Sequence, residues 1–218
     1  MNEKQLLVDY LLTFVTEHKK ERMQQVVDAR TRHLTVILED IYQHHNASAI
    51  VRTCEIFGVQ DLHVIEKRNV FKPKNTIAMG SAKWLDLHHY KDIISCITEL
   101  KKNGYRIVAT MPDASARSLF DLRLDSKLAL MFGTEGPGIT PEALEMADEF
   151  ITIPMYGFTE SFNVSVSAAL CLQRIITSLH ASTIDWRLNE AEKLDLMHRW
   201  LHKLLRGASG LEKEFLNR

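Results

Sequence analysis

Short apolar runs alternate along this chain with longer stretches whose apolar positions recur every three or four residues. The short runs read as strands: Leu34–Leu38, Asp61–Ile65, Asp86–His88, Arg106–Thr110, Leu128–Phe132 and Phe150–Ile153. Helical periodicity falls between them, at Asn46–Phe57, Lys91–Lys102, Pro141–Met146 and Asn163–His180. In the first of these helices Ala47, Ile50, Val51, Cys54 and Phe57 form the core-facing stripe. Strands alternating with helices predict an α/β fold with a mostly parallel sheet.

The two ends carry a different pattern. Leu6, Leu7, Tyr10, Leu11, Phe14 and Val15 form an apolar stripe, followed by the polar segment 17–32. Near the other end Ile184, Leu188, Leu194, Met197, Trp200, Leu201, Leu204 and Leu205 recur at near-helical spacing. Both stripes need burial. The simplest arrangement divides the chain into a helical extension at 1–31, a main domain at 32–182, and a second extension at 183–218 that packs on the first. Oligomerisation is the other outlet.

Three segments depart from simple core patterning. His44-His-Asn-Ala-Ser-Ala-Ile-Val-Arg follows the first strand, with Asn46 near a helix start and Arg52 among the apolar positions. Asn46 suits an N-cap or a ligand contact; Arg52 suits a surface ion pair or a functional cation. The second segment runs from strand Leu128–Phe132 into Gly133-Thr-Glu-Gly-Pro-Gly, with Thr140 and Pro141 as N-cap and first helical residue. Gly133, Gly136 and Gly138 predict positive φ and close approach of a ligand to the backbone. No Lys follows them, so this is not a phosphate-cradling P-loop, and the spacing is wrong for a dinucleotide fingerprint. The third, Ile151-Thr-Ile-Pro-Met to Leu170, is a strand, a loop of small and polar residues, and a helix opening Asn163-Val-Ser-Val-Ser. Backbone N–H groups at such an opening face whatever lies there.

Together these segments resemble the SPOUT-class RNA 2′-O-methyltransferases of the SpoU/TrmH type. The Asn-x5-Arg helix is matched by Asn46 to Arg52. The G-x-E-G-x-G loop is matched from Gly133, and the I-x-I-P-M-x-G…S-x-N-V segment from Ile151. The resemblance spans roughly residues 32–182. Thr134 stands where Asn is frequent in the family, and Phe162 where Leu is commoner.

The resemblance implies a deep trefoil knot in the C-terminal part of the domain. It also implies S-adenosyl-L-methionine as co-substrate, held by Thr110, Met111, Gly133, Glu135, Gly136, Ile153, Met155, Ser161, Asn163 and Val164. Met111 and Met155 suit ordinary core packing equally well. Arg52, Asn46, Glu135, Ser161 and Asn163 are the implied catalytic set, although Ser161 and Asn163 also suit helix capping. Family accounts make the motif-one arginine a base. Neutralising a guanidinium near pH 7 costs roughly 7 kcal/mol, so anchoring phosphate and stabilising a developing alkoxide is the more economical role for Arg52. The implied substrate is the D-loop guanosine at tRNA position eighteen. Ribosomal RNA, the tRNA wobble nucleotide, or RNA binding without catalysis are the alternatives. A homodimer through the knot is implied as well.

Composition adds limits. With 218 residues and 45% hydrophobic content the chain can bury one sizeable core. No apolar run reaches membrane-spanning length and no cleavable signal opens the chain, which predicts a cytoplasmic protein with no membrane partner. Cys54, Cys96 and Cys171 sit in apolar patterns and read as buried thiols. The His44-His45 and His88-His89 pairs lack helical i, i+4 spacing, so no metal is assigned. Net charge is −1, so an RNA partner (rather than DNA) requires segregated charge. Basic clusters occur at 18–22, 30–33, 67–74 and 198–206.

Overall fold

The computed structural model describes residues 3–113 and 115–217. Within them lie strands β1 (Leu34–Glu39), β2 (Asp61–Ile65), β3 (Asp86–Tyr90), β4 (Arg106–Thr110), β5 (Arg117–Ser118), β6 (Leu128–Phe132) and β7 (Glu149–Thr152). The helices are α1 (Glu3–Leu12), α2 (Glu17–Asp28), α3 (His44–Ile56), α4 (Asn75–Ala78), α5 (Ile93–Lys102), α6 (Pro141–Glu145), α7 (Val164–His180), α8 (Glu190–Leu204) and α9 (Ala208–Leu216).

All seven strands join one parallel sheet in the order β3-β2-β1-β6-β4-β7-β5. A parallel sheet buried on both faces needs apolar residues at successive positions. Leu34, Val36 and Leu38 of β1 pack with residues of α3 and α7 on one face, while Ile37 packs with α5 on the other. In β6, Leu128, Leu130 and Phe132 face the first core and Ala129 and Met131 the second. β5 has two residues, too short to carry a pattern, and was not legible in the sequence. β7 ends at Thr152, so Ile153 already belongs to the loop that Pro154 opens.

The chain separates into two compact units, Arg32–Trp186 and a second built from 1–31 and 187–218. In the latter, α1 packs on α8 and α9, and α2 on α8. Leu11, Val27, Trp200 and Leu201 are buried within it. Its α8 begins with a reciprocal capping box between Asn189 and Glu192. No described helix is long and apolar enough to cross a membrane.

Candidate active site

The order of strands places β6 between β1 and β4, although β4 precedes it in the chain. Ligands of open parallel sheets bind beyond the carboxyl ends of strands where the order reverses. A cavity of about 440 Å³ lies there, bounded by the ends of β4, β6 and β7 and the start of α7. That volume falls in the usual range for small-molecule sites, roughly 300–1,000 Å³.

One wall is the loop after β6. Thr134 and Gly138 pair across it, with Gly138 N–H donating to Thr134 O at 3.0 Å. The turn closes so tightly that a Cβ on Gly133 would stand 2.2 Å from Gly138 C and Ile139 N. Gly136 and Gly138 do adopt positive φ, +91° and +76°. Gly133 does not, and its requirement is steric. Beyond the loop, Thr140 caps α6, and the buried Glu39 carboxylate accepts from Thr140 N at 2.9 Å and Oγ1 at 2.6 Å. This ties the end of β1 to the loop.

A hydrogen-bonded chain joins all three sequence motifs. Asn46 Nδ2 donates to Glu135 Oε1 at 2.6 Å, Tyr42 N–H donates to Glu135 Oε2 at 3.1 Å, and Asn163 Nδ2 donates to Asn46 Oδ1 at 3.2 Å. Asn163 caps α7, its Oδ1 accepting from Ser165 N at 2.9 Å. The N-cap alternative for Asn46 fails: Gln43 holds that position, and Asn46 lies inside the first turn, buried. For Glu135 partial burial favours the neutral acid, but the hydrogen bonds from Asn46 and nearby backbone amides outweigh it and hold the carboxyl below its ordinary value.

Thr110, Met111, Gly133, Glu135, Gly136, Ile153, Met155, Ser161, Asn163 and Val164 all line the cavity. Thr110 Oγ1 donates to Met131 O at 2.9 Å and Met111 N–H to Ile151 O at 3.0 Å, which fixes the end of β4. Gln43, Phe132 and Cys171 also face the cavity and were missed. Gln43 adjoins the motif-one helix, but nothing in its local pattern distinguishes it. Burial pushes the Cys171 thiol up to about 12, so it stays protonated.

Arg52 is not part of this group. It is exposed on α3, absent from the cavity lining, and makes no hydrogen bond or ion pair among the described residues. Six residues separate it from Asn46, which turns it roughly 120° around the helix. Among the described residues the cavity lining of one chain therefore holds no cationic side chain.

The 30–33 cluster is structural, and the 198–206 cluster is so only in part, since Lys203 and Arg206 are exposed. Arg30 is buried with its guanidinium 5.2 Å from the Trp200 ring, Arg32 binds Asp61 and Asp86 at 2.8 and 3.0 Å, and His33 contacts Leu124 O. In the 198–206 cluster Trp200 and Leu201 are buried and Arg199 pairs with Asp195. Lys19, Arg22, Lys67, Arg68, Lys72 and Lys74 are exposed.

Residues 33–173 match the model of the SpoU rRNA Methylase family. The chain belongs to this family. It is 41% identical over 205 residues to a tRNA (guanosine(18)-2′-O)-methyltransferase of Borreliella burgdorferi, covering 94% of each chain. The crystal structure of the A. aeolicus TrmH/SpoU tRNA modifying enzyme superposes with a TM-score of 0.77 at 29% identity, over 87% of this chain and 98% of that one. The SpoU methyltransferase AviRb from Streptomyces viridochromogenes, solved with the cofactor AdoMet, shares the fold: TM-score 0.63, 20% identity, 72% and 65% covered.

Proposed function

We propose that this chain is an S-adenosylmethionine-dependent tRNA 2′-O-ribose methyltransferase acting on the D-loop guanosine at position eighteen. The observation that carries this reading is near-full-length identity of 41% to a relative of that activity. The cavity agrees with the co-substrate in size and in its mix of apolar walls and glycine-rich backbone. S-Adenosylmethionine supplies an electrophilic methyl group on a sulfonium. Met111, Ile153 and Met155 would hold its adenosine end, and the Gly133–Gly138 loop would supply backbone groups beside it. Glu135, kept ionised and oriented by Asn46, positions the loop and the ribose. The chain's task is placement of the 2′-hydroxyl and stabilisation of the charge that develops on its oxygen.

Arg52 serves this role from the partner in a homodimer. Its exposure, the lack of a hydrogen-bond or ion-pair partner among the described residues and its absence from its own cavity lining support that arrangement. So do Val166 and Leu170 on α7, which lie 43% and 40% exposed beside the site. The C-terminal segment threads as a trefoil knot in this reading, supported by β6 lying between β1 and β4. Exposed Lys67, Arg68, Lys72 and Lys74 meet tRNA phosphates, and the protein works in the cytoplasm.

The test is incubation with methyl-labelled S-adenosylmethionine and unmodified tRNA transcripts, mapping label by resistance to alkaline cleavage. Label at the D-loop guanosine, lost in Arg52→Ala, is the expected result. Label on ribosomal RNA alone would favour the second reading, which the family's description supports. Cofactor binding with no label on any RNA would sink both.

A further inference from the structure

The second compact unit carries a cluster that the methyl-transfer site does not use. His198 and His202 lie four residues apart on α8, so both rings project from one face. Glu212 of α9 approaches them from the neighbouring helix. His202 Nε2 lies 3.0 Å from Glu212 Oε2, and His198 Nε2 lies 3.5 Å from Glu212 Oε1. One donor atom from each of the three falls within 4.8 Å of the others.

Both Nε2 atoms are shielded from solvent, yet neither makes a hydrogen bond of good geometry among the described residues. Buried polar atoms nearly always find a partner. Here two of them converge on one carboxylate within ion-pair reach, which brings three potential metal donors together. Tetrahedral zinc, with nitrogen and oxygen ligands at about 2.0–2.1 Å, sets donor atoms roughly 3.3 Å apart. The two carboxylate contacts bracket that spacing.

We propose that His198, His202 and Glu212 form a binding site for a divalent transition-metal ion of the zinc class. Two imidazoles and a carboxylate form a borderline donor set that suits zinc, leaving the fourth position to water or an anion. The ion would clamp α9 onto α8. At nine residues α9 is too short to be stable alone, so metal binding would order the C-terminal helix.

Full-length protein stripped with a chelator would be titrated with Zn²⁺ in competition with a chromophoric chelator. One ion per chain is expected. The affinity should fall by about 100-fold or more in His202→Gln and in Glu212→Gln, beyond the roughly 10- to 100-fold typical of losing an outer-shell partner. Circular dichroism would confirm that each variant folds. Wild-type protein loaded with Co²⁺ should show the visible absorption of a tetrahedral nitrogen–oxygen site, without thiolate charge transfer. Absence of stoichiometric binding, a cobalt spectrum with thiolate ligation, or unchanged affinity in both variants would overturn the proposal.

Discussion

Asn46 Nδ2 and Glu135 Oε1 meet at 2.6 Å although 89 positions separate them in the chain. Asn46 passes the contact on, accepting from Asn163 at 3.2 Å. The first-motif helix, the loop after β6 and the cap of α7 are therefore held by one buried amide. Removing it leaves a partly buried carboxylate short of a donor, which costs about 1–3 kcal/mol.

Asn46→Ala should lower stability by about that amount in urea unfolding. Asn46→Asp should cost more, because two carboxylates would then face each other where one charge is already held. Co-substrate affinity, measured by calorimetry, should fall in the same order.

Gly133→Ala should abolish co-substrate binding and lower the melting temperature. Its Cβ meets backbone at 2.2 Å, and backbone cannot rotate away as a side chain can. Gly136→Ala meets nothing within 4 Å, and only its φ of +91° is strained. It should cost about 1–2 kcal/mol. Equal effects at the two glycines would contradict this account of the loop.

Arg52→Ala should leave stability within about 0.5 kcal/mol, since the side chain is exposed and unpaired among the described residues. Methyl transfer should nevertheless be lost. Arg52→Lys should restore little, because a point charge does not reproduce a planar fork. Mixing Arg52→Ala with a variant disabled at Gly133 should recover part of the activity if the arginine acts across a dimer.

Acid should weaken the sheet edge through His63. Burial first, then the neighbouring His88, depress its pKa from 6.5 to about 4, while Asp61 pulls the other way. Between those values the unfolded chain holds the proton and the folded chain does not. The stabilisation is therefore complete above pH 6.5 and declines as pH falls toward 4, by on the order of 3 kcal/mol. His88, raised chiefly by its hydrogen bond to Asp61, contributes in the opposite sense: its share is present below pH 6.5 and fades as pH rises through its folded value. Urea unfolding from pH 4.5 to 7 should show a shallower acid slope in His63→Phe than in the unaltered protein.

The strand periodicity was plain because a sheet buried on both faces demands apolar runs: Asp61–Ile65, Arg106–Thr110 and Leu128–Phe132 have the same ends in sequence and structure. The three motifs were legible for a related reason. A backbone-lined cavity restricts residue type locally, by glycine where a chain closes on itself and by short polar caps where a helix opens. Sequence alone could not say that Gly133 is needed for space rather than for its φ, since that depends on where Gly138 returns. Nor could it separate Arg30 and Arg32, consumed by Trp200, Asp61 and Asp86, from the exposed lysines at 67–74. A charged residue looks the same in a sequence whether it faces solvent or a buried acid. The helical spacing of His198 and His202 was present in the chain, but Glu212 joins them only when α9 folds back on α8. Local spacing determined the elements and the chemistry on offer, and long-range packing decided which charges remained free to act.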